Sequence, residues 1–187
     1  MGRILKVDLS EDQISIEEPW EGFYRRYFGG RALVAYYLLK ELQPGTDPFG
    51  PENILVFSTG VATGAPISGS GRNSVGEVAV DTCLRRRRGG RLLGCGAEEV
   101  WPLWTLWRHF MNCAVLCIFP PWSYSQVAEI VSAATGWETS VWELLKVGER
   151  AANLTRAFNV REGFTSKDDD LPERFFSALT EGPLAGV

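Results

Sequence analysis

The stretch from Asn53 to Asn73, NILVFSTGVATGAPISGSGRN, is the segment around which the rest of the chain is organised. The apolar run at 54–57 predicts a buried β-strand, which opens into a glycine-rich loop. Glycines at 64, 69 and 71 permit positive φ and close backbone approach, and the Arg72 guanidinium offers a planar fork of donors. This pattern suits a phosphate-bearing ligand, and it is also that of an ordinary strand connection with an arginine at its rim.

Length and composition predict a soluble globular protein. The 187 residues are 45% hydrophobic, which suffices for one core or two small ones. The sequence has no run of about 18 apolar residues and no signal-peptide pattern, so we expect a cytoplasmic protein without membrane contact. A net charge of -4 argues against general nucleic-acid affinity. Four irregularly spaced cysteines argue against a disulfide framework and leave thiol or metal chemistry to be considered.

The elements before the central stretch predict an N-terminal sheet with helices. Residues 2–9 and 14–17 alternate on either side of a turn, which predicts an antiparallel hairpin with Ile4, Val7 and Leu9 half-buried. Aromatic residues recur at helical spacing from Trp20 to Phe28 and are expected in the core. After Gly29-Gly30 a second helix is predicted over 31–42.

Two capping signals predict helices in the C-terminal part. Ser123-x-x-Gln126 is a capping box ahead of an apolar-periodic segment that stops at Gly136. Ser140-x-x-Glu143 repeats the signal ahead of a longer helix. The fold class expected from the whole pattern is α+β, with an N-terminal antiparallel sheet domain and a C-terminal helical segment.

Both ends of the chain resemble the aldehyde ferredoxin oxidoreductase family, whose members hold tungsten or molybdenum in a bis-molybdopterin cofactor. The N-terminal phrases that carry the resemblance are GRILKVDLS, FYRRYFGGRALVAYYLLKEL, PGTDPFGPEN and LVFSTGVATGAPISGSGRNSV. The C-terminal phrases are AATGWETS, KVGERAANLTRAFNVREGF, DDDLPERF and EGPLAGV. The resemblance implies a cofactor-binding N-terminal domain at 1–82, an unmatched segment at 83–111 and a C-terminal helical domain at 112–187.

The glycine-rich loop supplies the first group of implied site residues. In the family, the arginine after the Gly-Ser-Gly turn contacts a pterin phosphate. By this resemblance the cofactor contacts are Gly71, Arg72 and Asn73.

A second group comes from residues 112–117, which resemble the family's Asp-x-x-Gly-Leu-Cys motif. There the aspartate contacts a pterin and the cysteine ligates a 4Fe-4S cluster, so the resemblance makes Asn112 and Leu116 cofactor-binding and Cys117 a metal ligand. Asn112 replaces the aspartate, and it cannot act as a carboxylate acceptor. Val115 replaces the glycine and adds bulk where the family keeps the backbone approachable. A cluster normally needs four thiolates, and without partners Cys117 is instead a small buried apolar residue.

The unmatched segment 83–111 reads CLRRRRGGRLLGCGAEEVWPLWTLWRHFM. Arginines beside tryptophans are compatible with single-stranded nucleic-acid binding, but the run is short and lacks a groove-forming pattern. A second interpretation is favoured: entering each codon from Gly90 to Trp101 at its second base permits a family-like string, GGYLGAELKRCG. The segment is then an out-of-frame reading followed by a large deletion. On that hypothesis Cys83, Cys95 and His109 are incidental, and the segment is not expected to pack.

The resemblance implies oxidation of an aldehyde to a carboxylate at a tungsten or molybdenum pterin, with electrons passing through a 4Fe-4S cluster to ferredoxin. The family's Cys-x-x-Cys run and its catalytic glutamate and histidine have no counterpart in this sequence. We therefore expect a truncated, inactive form and name no catalytic residue. Two alternatives stay open: a non-catalytic module that binds a pterin cofactor, and a structural partner of a full-length paralogue or of its own copies.

Overall fold

The computed structural model describes residues 2–76, 100–169, 177 and 180–182, and its architecture is α+β, as predicted. In the described part of the chain, two small antiparallel sheets and two helices precede three further helices. The elements are β1 Ile4–Asp8, β2 Gln13–Glu17, α1 Glu21–Tyr27, α2 Gly30–Glu41, β3 Val56–Ser58, β4 Ser74–Gly76, α3 Val100–Ala114, α4 Tyr124–Thr135, α5 Val141–Arg161 and a 3-10 turn, Ser166–Asp169. None of the described helices combines the length and apolarity that a membrane crossing requires. The arginine run, Cys83 and Cys95 lie outside the described residues.

Strands β1 and β2 form the predicted hairpin, but its apolar face is open to solvent. The register pairs Leu5 with Ile16 and Val7 with Ile14. These four side chains are 52–69% exposed, and Leu9 is 85% exposed. The expectation that Val7 and Leu9 are half-buried is therefore wrong, because only the opposite face of the hairpin packs on α2.

That opposite face is held to α2 by one lysine. Lys6 Nζ lies 3.2 Å from a Glu17 carboxylate oxygen and 3.0 Å from one of Glu41. Its ammonium also sits 5.4 Å from the centre of the Tyr37 ring. The hairpin is thus tied to the C-terminal turn of α2 by charge and by a cation–π contact.

The aromatic residues around α1 are divided between the core and the surface. Phe28 is fully buried, and the rings of Phe23, Tyr27 and Tyr36 contact one another. Trp20 precedes the first turn and is 69% exposed, so its predicted place in the core is wrong. At the N-cap the chain is extended, which points this ring away from the packed side of α1.

The predicted buried strand at 54–57 is also corrected. The strand that forms is β3, which ends at Ser58 rather than at Phe57. It pairs only with β4 among the described strands. Phe57 is 66% exposed and Leu55 is 53% exposed, whereas Ser58 is buried. In a two-stranded sheet one face packs on α2 and the other meets solvent, so an apolar run alone does not show burial.

The N-terminal and C-terminal parts share one core. Phe28 and Ala32 from the first part lie in the same buried cluster as Phe110, Val131 and Leu144 from the second. The Phe28 ring contacts the Phe110 ring edge-on at 5.6 Å between centroids. The two parts therefore bury each other's apolar surface.

Helix α3 begins inside the segment that was expected not to pack. Residues 100–111 are helical, and Trp107, Phe110 and Met111 are buried in the shared core. The expectation is therefore wrong for this part of the segment. The helix carries its apolar side chains on one face, and this face packs against α5.

The capping signals give the predicted helices. Ser123 and Gln126 form both halves of a capping box, and Gly136 ends α4 in the left-handed region with φ +74°. At α5, the Ser140 hydroxyl accepts the Glu143 amide at 3.2 Å, but the Glu143 carboxylate binds Arg25 instead of closing the box. This second cap therefore also links α5 to α1.

Candidate functional site

Two glycine-containing turns meet the C-terminal end of α3. A Cβ built on Gly30 would overlap the carbonyl oxygen of Asn112, and one built on Gly60 would overlap the carbonyl oxygen of Ala114. The backbones approach so closely that no side chain fits between them. The sequence alone predicts only a break between two helices at Gly29-Gly30, and this role was missed. The adjacent glycine pair was the available signal.

The glycine-rich loop reaches the same helix end through Gly69. Its carbonyl oxygen accepts the backbone N–H of Cys117 at 3.0 Å, and its φ is +81°. A Cβ at this position would overlap the Cys117 Cβ. The predicted loop residues and the predicted metal ligand, which lie far apart in sequence, are therefore brought into direct contact.

Ser70 fastens the loop to itself. This buried hydroxyl donates to the carbonyl of Ala65 at 2.7 Å and is 3.2 Å from that of Ile67. The Ser70 carbonyl in turn accepts the Gly64 amide at 3.2 Å. Because the side chain and the backbone carbonyl of Ser70 both bond to residues 64–67, these bonds fix the conformation of the loop from residue 64 to residue 70.

The three predicted cofactor contacts that follow are exposed. Gly71, Arg72 and Asn73 all lie on the surface, and no residue in the described part of the chain forms an ion pair or hydrogen bond with the Arg72 guanidinium. A Cβ on Gly71 would meet open space, and its φ lies outside the left-handed range. Of the three predicted loop glycines, Gly64 and Gly69 have positive φ and Gly69 alone makes a close backbone approach, whereas Gly71 needs neither.

Helix α3 ends in a conformation that favours glycine. Val115 has φ +56°, and the next amide, of Leu116, donates back to the Met111 carbonyl at 3.1 Å. This six-to-one bond is the Schellman ending, whose left-handed position is usually glycine. A β-branched residue there costs about 1–2 kcal/mol. Val115 stands where the family motif that this stretch resembles has glycine, and glycine would suit this left-handed helix end.

The predicted residues of the second group lie along this helix end. Asn112 is half-buried, whereas Leu116 and Cys117 are 6% and 8% exposed. Cys113, one turn before Cys117, is completely buried, and burial raises the pKa of its thiol to about 12. In the metal-free chain Cys113 is therefore a protonated thiol at neutral pH.

The described residues do not fit a 4Fe-4S cluster. They contain no group of three or more His, Cys, Asp or Glu side chains that could hold a metal ion. The two described thiols are Cys113 and Cys117, and a cluster takes four. His109 does not join them: its Nδ1 lies 3.2 Å from Nη1 of Arg31, which links α3 to α2.

The phosphate of a pterin cofactor fits the loop better. The exposed Arg72 guanidinium can bind two phosphate oxygens at once, and the open backbone at Gly71 leaves room for them. The site thus defines a class of protein, an α+β unit with an exposed arginine that suits an anion. The arginine belongs to a glycine-rich loop (residues 64–73, called the arginine loop), and this loop contacts the chain at the end of a helix, beside a buried cysteine.

Comparison with known families identifies the unit further. A family model described as the N-terminal domain of aldehyde ferredoxin oxidoreductase matches residues 4–83, and one described as domains 2 and 3 of the same enzyme matches residues 92–187. The chain belongs to the aldehyde ferredoxin oxidoreductase family. The predicted domain limits at 82 and 111 stay predictions.

Several curated proteins are similar to part of this chain, which matches only a small share of their length. The tungsten-containing aldehyde ferredoxin oxidoreductases of Thermococcus kodakarensis and Pyrococcus horikoshii are 42% and 45% identical over 74 residues, which is 40% of this chain and 12% of each relative. The aliphatic sulfonate oxidoreductase, WOR-like subunit, of Pyrococcus furiosus is 39% identical over 66 residues, or 34% of this chain and 11% of that protein. No solved structure gives a significant match.

Proposed function

We propose that this chain is a family member without aldehyde turnover that retains the anion-binding loop of a cofactor-holding domain. The observation that carries the proposal is the exposed Arg72 guanidinium, presented by a loop that is fastened to the end of α3. In the complete enzymes that the resemblance implies, a tungsten or molybdenum pterin supplies the oxidation of an aldehyde to a carboxylate, with ferredoxin as the electron acceptor.

In that scheme the residues of this chain would bind and orient the pterin cofactor. Arg72 would hold a phosphate group of the pterin, and the Asn73 amide would add a neutral donor. Cys117 lies one hydrogen bond from the same loop and is the metal ligand implied by the family motif. Leu116 is an apolar side chain of the helix end and packs in the core.

The thiols of the described part support the absence of turnover. Cys113 and Cys117 are the two thiols of that part of the chain, and only Cys117 matches the ligand position of the family motif. A single cluster ligand and a single cofactor-binding loop do not enclose a redox site. The relatives over which the match extends are about eight times longer than the matched segment, which covers 12% of them.

Calorimetric titration of the purified chain with inorganic pyrophosphate tests the anion loop. Loss of charge-assisted bonds is expected to weaken binding by about tenfold or more in Arg72→Ala, since such bonds contribute about 1.5–3 kcal/mol. Arg72→Lys keeps the charge without the fork and should lie between. Arg26→Ala is the matched control, because Arg26 is exposed and changes the net charge equally. Equal binding by wild type, Arg72→Ala and Arg26→Ala would contradict the proposal.

The turnover part has its own readout. After loading with tungsten pterin, we expect no aldehyde-dependent viologen reduction and less than one 4Fe-4S cluster per chain by iron analysis. Measurable reduction would show a working enzyme.

A second function is favoured by the open face of the hairpin, namely docking on a full-length paralogue. The aliphatic side chains of Leu5, Val7, Ile14 and Ile16 form a contiguous exposed set across two paired strands. Such sets mark protein contacts. Co-expression with the paralogue should give a complex that Ile14→Glu abolishes, whereas Glu11→Gln at the turn should not. Light scattering of the chain alone separates this complex from self-association.

A further inference from the structure

A cavity of about 230 Å³ lies between α1 and α5, apart from the residues of the arginine loop. Four cationic side chains and one carboxylate line it, and Gly22 and Val147 give it an apolar wall. The whole chain has a net charge of -4, so this local excess of positive charge is opposite in sign to the average. Drug-sized ligands occupy pockets of roughly 300–1,000 Å³, so a cavity of this size suits a small anion.

Two of the four cations are neutralised within the protein. Arg25 donates to both carboxylate oxygens of Glu143, at 2.6 and 3.1 Å. Lys146 lies 2.6 Å from a carboxylate oxygen of Glu149. These two carboxylates are therefore already paired, and neither forms an ion pair with Arg150.

Arg150 is the half-buried cation of the cavity, and its guanidinium is held in place. Its Nη1 donates to the backbone carbonyl of Arg26 at 2.6 Å, and no carboxylate in the described part of the chain pairs with it. A guanidinium has five N–H donors in a planar fork, so most of them remain for a ligand. The Arg26 side chain, in contrast, is exposed. Arg150 is thus positioned to bind an anion that enters between the two helices.

The apolar wall selects among small anions. Val147 is 1% exposed, and Gly22 has no side chain that could fill the space. A carboxylate with a short hydrocarbon tail can bond to the guanidinium and place its tail on this wall, whereas inorganic phosphate can make only the first contact. We propose that the cavity binds a short-chain aliphatic carboxylate and that Arg150 anchors it. This site is independent of the anion-binding function proposed for Arg72.

Titration of the isotope-labelled protein with butyrate, followed by NMR, tests the site. We expect saturable shifts of the Arg150 Nε–H signal and of the backbone amides of Gly22 and Val147. Acetate should bind more weakly, by about fourfold for each CH₂ group of butyrate that the wall buries, because each buried CH₂ contributes about 0.8 kcal/mol. Butyramide has the same shape without the charge and should not bind measurably.

Three variants separate an anchored carboxylate from general charge attraction. Arg150→Met keeps an apolar stem and removes the donors, so it should weaken butyrate binding by about tenfold or more. Arg150→Lys keeps the charge without the planar fork and should lie between. Arg26→Ala is the matched control, because it removes an equal but exposed charge and keeps the carbonyl that holds Arg150. It should change the dissociation constant by about twofold or less.

The outcomes are decisive in either direction. The proposal is overturned if the wild type binds butyrate no better than butyramide, or if Arg150→Met and Arg26→Ala lose equal affinity. Inorganic phosphate that bound as tightly as butyrate would overturn the assignment to a carboxylate. Arg150 also bonds to the last turn of α1, so circular dichroism should show whether its variants fold. If they do not fold, the wild-type comparison of butyrate with butyramide decides.

Discussion

The end of α3 and the β1–β2 hairpin solve opposite packing problems. At the helix end, three turns approach so closely that their glycines face backbone oxygens or a Cβ directly. In the hairpin, strands with good β-forming residues leave an aliphatic face in solvent. The packing of the helix end depends on glycines, which have no side chain to keep the backbones apart. The hairpin instead has aliphatic side chains that no described residue covers. A single added methyl group should therefore matter far more in the first region than in the second.

The largest loss of stability is expected where α3 crosses α5, because a glycine lies directly against the backbone of the other helix there too. A Cβ on Gly148 would overlap the carbonyl oxygen of Leu106 and lie 3.0 Å from the Phe110 amide nitrogen. Gly148→Ala must separate the two helices and should lower the free energy of unfolding by about 3 kcal/mol, the upper part of the range for overpacked cores. Urea denaturation measures the change.

Gly22→Ala is the matched control for that substitution. Gly22 is also helical, but the atoms nearest to its Cβ would be those of the Trp20 ring, which is exposed and can rotate away. Alanine should then stabilise by about 0.5–1 kcal/mol through its better helix propensity. If the two variants lost equal stability, the contrast between backbone and side-chain neighbours would be wrong.

An intermediate effect is expected at Val115. Alanine and glycine both remove the buried side chain, but only glycine relieves the left-handed strain at φ +56°. Val115→Gly should therefore be more stable than Val115→Ala by about 1 kcal/mol, the reverse of their order inside a helix. Thermal unfolding of the two variants side by side gives the sign. A more stable alanine variant would mean that the helix end is not the Schellman type described above.

The smallest effect is expected in the hairpin. The hydrogen bond from Lys6 lowers the pKa of Glu41 below its ordinary value of 4.5. The carboxylate thus stabilises the fold above that value, and this contribution is lost as the pH falls through the lower, folded-state pKa. Glu41→Gln should therefore show a slightly smaller fall in Tm between pH 7 and pH 3 than the wild type. Glu11→Gln, at the exposed turn, should show the same dependence of Tm on pH as the wild type. If Tm depended on pH identically in all three proteins, the Lys6–Glu41 contact would not contribute to stability.

The sequence was informative wherever a local rule decides the structure. The capping box at Ser123 and Gln126, the glycine end at Gly136 and the hairpin between β1 and β2 all follow from neighbouring residues alone. Burial did not follow, because Phe57 and Trp20 have core-like side chains at positions where the fold supplies no cover. Apolar character indicates what a side chain favours, and topology decides whether it is covered.

The candidate site shows the same division. Arg72 and Cys117 were found from their motifs, but the sequence could not show that Gly69 contacts Cys117, since a contact between residues 48 positions apart leaves no local pattern. The helix α3 was missed because composition drew attention to arginines and tryptophans rather than to its apolar face. Its burial against α5 could be predicted only once both helices were placed.

Arg161 has a consequence for how the chain is made. From the last turn of α5 its guanidinium donates to the carbonyls of Leu39 and Leu42 at 3.0 and 2.9 Å, closing the end of α2 across 119–122 positions of sequence. At a translation rate of about 5–20 residues per second, the ribosome delivers this arginine roughly 6–25 s after the helix it caps. A nascent chain therefore emerges with α2 unfinished, and a chaperone that holds the N-terminal half during that interval should raise the yield of folded protein.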